Sequence, residues 1–193
     1  MYLRNCWYVA GWSKDFDRVL KAEKFLNENI VIYRKKDGSP AALENACPHR
    51  KLPLSKGTLA DDNIICAYHG LTFNSEGQCT DSPTQRGMTP RRAVVKSYPV
   101  VDRYRLLWIW MGDPDVANPD DIPHFEPLED PEWCGLPNRC YLHYDANWML
   151  IVDNLADFSH LAFVHTSTLG GSEDYATESA QHVDKLDNGF EFE

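Results

Sequence analysis

The chain has 193 residues, of which 43% are hydrophobic and 25% are charged, so it can bury a sizeable core in one domain or two. Its formal net charge of −10 repels nucleic acid and anionic membranes, and we expect neither as a partner. No stretch reaches the roughly 18 apolar residues that a transmembrane helix needs.

The N-terminal segment MYLRNCWYVAGWSKDF has neither an extended apolar region nor a small-residue cleavage site, so the sequence predicts no signal peptide. A chain of this length without a secretion signal is expected to keep its six cysteines reduced. We therefore predict a cytoplasmic protein.

Short strands and turns dominate residues 1–113. The stretch NIVIYRKKDGSPAALEN alternates around a Lys-Lys-Asp-Gly turn, and NIICAYHGLTFNSEGQC does so around a turn at Asn74–Gly77; both patterns predict β-hairpins. Two more strands are predicted at Val94–Val100 and Leu106–Met111. The spacing indicates a small all-β sandwich or barrel-like domain over residues 1–113.

Residues 114–139 are rich in proline and acid and are predicted to form a surface linker. Residues 140–193 differ in character and are assigned to a second domain. Here an apolar pattern at near-helical spacing predicts a helix, with Asp145 or Asn147 as its N-cap; the pattern comprises Trp148, Ile151, Val152, Leu155 and Phe158. Asp187-Asn188-Gly189 predicts a hairpin turn whose second strand stops at Glu193, so we expect this domain to be incomplete.

Two cysteine–histidine pairs lie in the stretch ACPHRKLPLSKGTLADDNIICAYHG: Cys47 with His49, and Cys66 with His69. Thiolate and imidazole together are ligands for soft to borderline metals. Any one of the four could be an ordinary buried or hydrogen-bonded residue, but the repeated pattern makes this improbable for all four. A zinc site with two Cys and two His is a second interpretation, although such sites usually place both cysteines in one loop.

The third interpretation is a Rieske [2Fe–2S] cluster, in which two histidines replace two cysteines on one iron. The mixed pairing fits this best, because each loop then contacts both irons. Neutral imidazoles raise the reduction potential to roughly −150 to +300 mV, and backbone N–H groups, Gly70 among them, are expected to bond the sulfurs. The other cysteines are interpreted as structural; they are Cys6, Cys79, Cys134 and Cys140.

A second group of polar residues lies in DNLADFSHLAFVH, where His160 and His165 are five positions apart. A straight helix would set these two histidines about 140° apart, so both could bind one metal only if the helix ends, bends or bulges between them. Asn154, Asp157 and His160 would lie near one face of such a helix. Alone, this pattern is a weak signal.

Six stretches give the chain its family resemblance, and they extend to about Gly171: RNCWYVAGW, CPHRKLPLSKG, CAYHGLTFNSEGQC, LLWIWMGDP, NPDDI and LIVDNLADFSHLAFVH. The chain resembles the oxygenase component of Rieske non-haem iron oxygenases, most of all the O-demethylase and methyl-monooxygenase branch. That branch includes vanillate O-demethylases, toluenesulfonate methyl-monooxygenases and dicamba monooxygenases. The resemblance implies an α+β chain, with an all-β Rieske domain followed by the start of a helix-grip-like catalytic domain.

The resemblance also implies roles for individual residues. The four Cys and His side chains named above would hold the cluster, and His160 and His165 would be two ligands of a mononuclear Fe(II) in a 2-His-1-carboxylate site. Asp157 would bridge to a cluster histidine of a neighbouring subunit, and Asn154 would lie close to the iron. The family's third ligand is an Asp much further along the sequence. The nearby acidic residues are expected to be solvated surface; they are Glu173, Asp174 and Glu178.

The function implied by the resemblance is a terminal oxygenase that uses O₂ to hydroxylate or O-demethylate a small aromatic compound. Its electrons would come from a separate NAD(P)H-dependent reductase of the flavin or ferredoxin type, and the whole protein would be a homotrimer. Two alternatives stay open: an electron-transfer module that needs residues 1–113 only, and a zinc-stabilised interaction domain. We expect the 193-residue chain to assemble the cluster but to lack oxygenase activity alone.

Overall fold

The computed structural model divides into two compact units, Met1–Pro137 and Asn138–Glu193. It describes residues 2–85, 88–89, 92–125, 127, 130, 132, 142–157, 160–168, 183–187 and 189–192. Among the described residues, no helix is long and apolar enough to cross a membrane. The predicted positions Phe158, Cys134, Cys140, Glu173, Asp174 and Glu178 lie outside the described residues.

The first unit consists of short antiparallel strands. In chain order they are β1 (Trp7–Trp12), β2 (Lys21–Phe25), β3 (Glu28–Arg34), β4 (Pro40–Glu44), β5 (Thr58–Ala60), β6 (Asn63–Ile65), β7 (Thr72–Phe73), β8 (Cys79–Asp81), β9 (Ser97–Tyr98), β10 (Val100–Arg103) and β11 (Leu106–Trp110). They form three sheets with the orders β1-β11-β10, β2-β3-β4-β9 and β5-β6-β7-β8. The all-β prediction for this part of the chain is confirmed.

Strand β3 separates two parts of the core. Its residues Ile30–Tyr33 are fully buried, and successive side chains point to opposite faces of the sheet. Ile30 and Ile32 therefore pack towards β11 and Tyr98, whereas Val31 and Tyr33 pack towards the sheet that contains Ile64 and Phe73. Burial on both faces explains why β3 has a continuous apolar sequence in place of an alternating one.

Two of the three predicted hairpin turns, those in the first unit, are confirmed; Asn188 of the third lies outside the described residues. Lys35 N–H donates to Ser39 O at 2.9 Å between β3 and β4, and Asn74 N–H donates to Gln78 O at 3.0 Å between β7 and β8. The single predicted strand at Val94–Val100 is wrong, since pairing is split into a bridge at Val94 and the short strands β9 and β10. Pro99 separates β9 from β10, and proline has no N–H to give to a ladder.

The first part of the predicted linker packs against the strands. Ile122 is 3% exposed and lies with Tyr104 and Trp108 in a small apolar cluster. The indole N–H of Trp7 donates to Asn118 O at 2.8 Å. These contacts hold the segment around Asn118–Ile122 on the β1-β11-β10 sheet, and the three-part division of the sequence stays a prediction.

The second unit contains α1 (Trp148–Ala156), α2 (Leu161–Val164) and the antiparallel pair β12 (Val183–Leu186) and β13 (Gly189–Phe192). Asn147 is the N-cap of α1, because its side-chain oxygen accepts from Met149 N–H at 3.0 Å. The apolar pattern predicted one continuous helix, but α1 ends at Ala156 and Asp157 is extended, with φ −93° and ψ 99°. No side chain of α1 is buried.

Candidate metal centres

Two loops of identical hydrogen-bond pattern carry the four predicted cluster ligands. In the first loop, Cys47 N–H donates to Leu52 O and Lys51 N–H donates to Cys47 O, both at 2.8 Å. In the second loop, Cys66 N–H donates to Leu71 O at 2.9 Å and Gly70 N–H donates to Cys66 O at 3.0 Å. The fifth residue of each turn has a positive φ, 57° at Lys51 and 73° at Gly70.

The two loops bring all four predicted ligands together. The Nδ1 atoms of His49 and His69 are 3.1 Å apart, and their ring centroids are 4.5 Å apart. Cys47 and Cys66 are each 2% exposed, are free of disulfides and have their thiols in contact. The histidines thus lie at the surface side of the pair of loops, and the cysteines lie in the core.

Burial in the apolar core raises the pKa of the Cys47 thiol. The backbone N–H groups of His49 and Arg50 donate to the same sulfur and act in the opposite direction, because they favour the thiolate. A bound metal ion deprotonates a thiol that coordinates it. Burial thus favours the neutral thiol at Cys47, and the two N–H groups favour the thiolate.

The histidine side of the two loops has the spacing that one metal ion needs. Two imidazole nitrogens on one tetrahedral metal are roughly 3.4 Å apart when each bond is about 2.1 Å, which is close to the observed Nδ1 separation of 3.1 Å. Within the part of the chain that the structure describes, no group of three or more His, Cys, Asp or Glu could hold a single metal ion. A pair of histidines beside a pair of cysteines is the ligand set of a Rieske cluster.

The sequence analysis did not predict two reciprocal hydrogen bonds between Asn45 and Ser55 at the base of the first loop, which we call the polar clasp. The Nδ2 of Asn45 donates to Ser55 Oγ at 3.0 Å, and Ser55 N–H donates back to Asn45 Oδ1 at 2.8 Å. Asn45 is 9% exposed, so this reciprocal pair satisfies polar groups that would be costly to bury alone. The clasp joins the two ends of the loop that presents Cys47 and His49.

The second candidate centre lies around α2. His160 is the N-cap of this single-turn helix and His165 is its C-cap, and their ring centroids are 5.3 Å apart. The five-residue spacing required the helix to end, bend or bulge between the two histidines. This requirement is met, because α2 ends at Val164, directly before His165. The His160 Nδ1–H donates to Asp157 O at 2.5 Å, and His165 Nδ1 is 3.1 Å from Thr168 Oγ1. These contacts leave both Nε2 atoms available to a metal, as in histidines oriented by a backbone carbonyl.

The expectation that Asn154, Asp157 and His160 share one helix face is wrong, because α1 ends before Asp157. Asp157 is the C-cap of α1, and its N–H donates to Asp153 O at 3.1 Å. Its carbonyl orients His160. The carboxylate of Asp157 and the side chain of Asn154 are exposed, and the roles of both residues stay predictions.

Comparison with known families matches both parts of the chain. The model for the Rieske [2Fe–2S] domain matches residues 6–99, and that for the C-terminal domain of the vanillate O-demethylase oxygenase matches residues 144–193. The first match contains both cysteine–histidine loops, and the second contains α1, α2 and the His160–His165 pair.

Individual proteins are similar over most of this chain. The iron-sulfur subunit of the toluene-4-sulfonate monooxygenase system of Comamonas testosteroni is 50% identical over 88% of this chain and 48% of its own length. The oxygenase component of dicamba O-demethylase from Stenotrophomonas maltophilia is 42% identical over 85% of this chain and 48% of its own length.

A solved structure agrees in fold. The crystal structure of dicamba monooxygenase bound to dicamba has a TM-score of 0.85 and 38% identity, over 96% of this chain and 55% of that one. The chain therefore spans about half the length of the curated relatives and solved structures that it matches.

Proposed function

Because the chain belongs to the family of Rieske non-haem iron oxygenases, we propose that the whole protein is the oxygenase component of a multi-component system. Its reaction is the hydroxylation or O-demethylation of a small aromatic compound at a methyl or methoxy group, with O₂ as the oxidant. The substrate class is proposed from the relatives, whose names refer to toluene-4-sulfonate and dicamba.

The observation that carries this proposal is the presence of two centres of different chemistry in one chain. The first centre places two buried cysteines beside two histidines whose Nδ1 atoms are 3.1 Å apart. The second places two histidine rings 5.3 Å apart around one helical turn, within the segment matched to an oxygenase C-terminal domain. An electron carrier needs only the first centre, so the second favours an oxygenase.

Cys47, Cys66, His49 and His69 would hold the [2Fe–2S] cluster, and His160 and His165 would hold a mononuclear Fe(II). When bound, the cluster stores one electron and the Fe(II) activates O₂. The protein's part is to bury the cysteines, to aim both histidine Nδ1 atoms at one point and to hold His160 by its bond to Asp157 O. We propose that the carboxylate ligand of the Fe(II) lies outside residues 1–193.

Asp157 is proposed as the positioning residue between subunits. Because the Nδ1 atoms of His49 and His69 face each other, each Nε2 lies on the far side of its ring, where a carboxylate of another subunit could accept its proton. The Asp157 carboxylate is exposed at the end of α1, and its own carbonyl is bonded to His160. It would thus link a cluster ligand of one subunit to an iron ligand of the next.

We propose a homotrimer, because head-to-tail contacts between identical subunits that close on themselves form a ring. Sedimentation of the full-length protein is expected to give a trimer, and an active monomer would contradict the proposal. We further propose a cytoplasmic protein that receives its electrons from a separate NAD(P)H-dependent reductase of the flavin or ferredoxin type.

The activity is tested by steady-state turnover of the full-length protein with NADH, a reductase and a panel of methoxyarenes and methylarenes. Loss of a methyl group as formaldehyde, or formation of a benzylic alcohol, is the expected result. Reduction of the cluster without any product from the panel would favour the electron-transfer module. A colourless protein that contains zinc would favour the interaction domain.

A further inference from the structure

The two histidines of the second centre have different kinds of hydrogen-bond partner. His160 Nδ1 lies 2.5 Å from Asp157 O, and a backbone carbonyl can only accept, so this nitrogen must carry the proton. His165 Nδ1 lies 3.1 Å from Thr168 Oγ1, and a hydroxyl can either donate or accept. The position of the His165 proton therefore depends on where the Thr168 hydroxyl directs its own proton.

The Thr168 hydroxyl has an acceptor of its own within the same turn. It donates to His165 O over a long distance of 3.4 Å, and Thr168 N–H donates to the same carbonyl at 3.0 Å. A carbonyl oxygen has two lone pairs and can accept both bonds. With its proton directed at His165 O, the hydroxyl offers its oxygen to the Nδ1–H of His165, and the His165 Nε2 is left unprotonated.

These contacts join residues three positions apart and need no distant element. His165 is the C-cap of α2, with φ −109° and ψ 18°, and the Thr168 N–H to His165 O bond closes the turn that follows. In the described part of the chain, Thr168 is the only residue that hydrogen-bonds the imidazole of His165. Without this bond the ring would be free to adopt either tautomer, and only one of them presents Nε2 as a metal ligand.

We propose that Thr168 is a positioning residue for the mononuclear Fe(II): its hydroxyl accepts the Nδ1 proton of His165 and thereby keeps Nε2 free for the metal. This inference rests on the proposed function, in which His165 is an iron ligand. Thr168 itself would touch neither the metal nor the substrate. Groups that orient a metal-bound histidine in this way typically change metal affinity by about 10- to 100-fold.

The two histidines differ in how a substitution can affect them. His160 is held by a main-chain carbonyl, which every residue at position 157 would supply. His165 is held by a side chain, so a single substitution can remove its partner. The backbone bond from Thr168 N–H to His165 O is available to any residue except proline. Removal of the hydroxyl therefore separates a role in metal binding from a role in ending the helix.

The test is an anaerobic calorimetric titration of Fe(II) into the full-length, cluster-loaded protein after a chelator has emptied the mononuclear site. T168V replaces the hydroxyl by a methyl group and keeps the β-branched shape of the side chain. We expect its Fe(II) affinity to fall about tenfold or more. T168S keeps a hydroxyl at the same position and should bind Fe(II) as tightly as the unsubstituted protein.

Thr166 provides the matched control. It follows His165 directly in the chain and is exposed, and among the described residues it makes no hydrogen bond to either histidine. T166V makes the same chemical change as T168V next to the same ligand, and it should leave the Fe(II) affinity unaltered. The visible cluster spectrum should be equal in all of these proteins, because the first centre lies in the other unit.

Other results would contradict the inference. Fe(II) affinity in T168V equal to that of the unsubstituted protein, or as weak in T168S as in T168V, would overturn the role of the hydroxyl and leave the oxygenase proposal intact. An equal loss in T166V would overturn it too, because the whole segment would then be disturbed. If T168V does not fold, T168A replaces it in the same comparison. Unsubstituted, cluster-loaded protein that binds no further Fe(II) would overturn the proposed function and, with it, the role of Thr168.

Discussion

At the scale of single residues, the four side chains proposed as cluster ligands lie in two different environments. Cys47 and Cys66 are almost fully buried in an apolar core, whereas His49 is exposed and His69 is half-buried. The cysteine sulfurs are shielded from solvent, and the histidines lie at the accessible side of the two loops.

Removal of one ligand should abolish the cluster. The change is H49A or C66S, and the expected result is loss of visible absorption and of acid-labile sulfide, because two irons need all four protein ligands. The control is C79S. Cys79 is a free cysteine packed beside the same core, but it lies in neither ligand loop, so C79S should keep its spectrum. An unaltered spectrum in H49A and C66S would refute the ligand assignment.

Glu28 is a second residue with a predictable effect. Partial burial would raise its pKa, but hydrogen bonds from Tyr98 at 2.5 Å, from Lys96 at 2.9 Å and from Arg4 outweigh burial and lower the pKa from 4.5 to about 2. A carboxylate with a lowered folded pKa stabilises the protein above pH 4.5, and the effect is lost as pH falls towards 2. E28Q should therefore cost about 1–2 kcal/mol at neutral pH, a value reduced for solvent screening of a side chain that is 27% exposed.

Urea unfolding at pH 6, 4 and 3 checks this prediction. The difference in unfolding free energy between E28Q and the unsubstituted protein should shrink at each step of that series. The control E23Q removes a surface carboxylate that pairs with Lys21 at 3.0 Å, and it should change stability by less than about 0.5 kcal/mol. A difference for E28Q that is constant with pH would contradict the linkage argument.

At the scale of elements, turns fix the positions of the ligand loops. The turn Asn74–Gly77 joins β7 to β8, and Gly77 N–H donates to Asn74 O at 2.9 Å. Gly77 also holds the next segment, since Val95 N–H donates to Gly77 O at 2.8 Å. Val95 is 1% exposed and lies in the same core as Cys47 and Cys66. This turn therefore stabilises the core that surrounds the two cysteines.

G77A should therefore destabilise the first unit strongly. Gly77 has φ +80°, and a Cβ there would lie 1.9 Å from Val95 O, so the backbone would have to move. Gly38 has the similar φ of +85° with nothing within 4 Å of a Cβ. Urea unfolding should give a loss of roughly 1 kcal/mol for G38A, from the conformation alone, and of roughly 3 kcal/mol for G77A. Equal losses would show that the contact with Val95 has no energetic cost.

Local patterns in the sequence predicted the elements that depend on local chemistry. The Lys35–Gly38 and Asn74–Gly77 turns were predicted because their residue types favour tight turns, and the paired Cys and His pattern indicated the first centre. The split at Pro99 was visible in principle, since proline cannot donate to a ladder. The end of α1 at Ala156 could not be predicted, because the apolar pattern continues to Phe158 and no Gly or Pro interrupts it.

Other features depend on contacts that are distant in sequence. Strand β1 pairs with β11, and Trp7 lies opposite Trp110; no local pattern specifies that pairing. The left-handed conformation of Lys51 could not be predicted either, because a residue other than glycine rarely adopts a positive φ. The equivalent residue of the second loop is a glycine, Gly70, which adopts this conformation readily. The Asn45–Ser55 clasp also needs the folded loop before the two side chains meet.

At the scale of the whole molecule, the proposed function requires that two centres communicate between subunits. Asp157 is the residue proposed to carry this link, since its carboxylate is exposed and its carbonyl orients His160. D157N in the full-length protein should keep the cluster spectrum and the iron content. Steady-state turnover should fall about 10- to 100-fold, as for other residues that orient metal ligands from outside the first coordination sphere.

The matched control for this prediction is D153N. Asp153 lies one turn earlier on α1, is also exposed and contributes its carbonyl to the same helix end. Its turnover should match that of the unsubstituted protein. Similar rates in D157N and D153N with the natural reductase would refute the bridge between subunits.

Metal and sulfide analysis of the purified chain tests most directly whether the two cysteine–histidine loops hold a Rieske cluster. We expect about two irons and two acid-labile sulfides for the cluster, with visible absorption that bleaches on addition of one electron. Zinc in place of iron, or iron without sulfide and without a reducible spectrum, would contradict it.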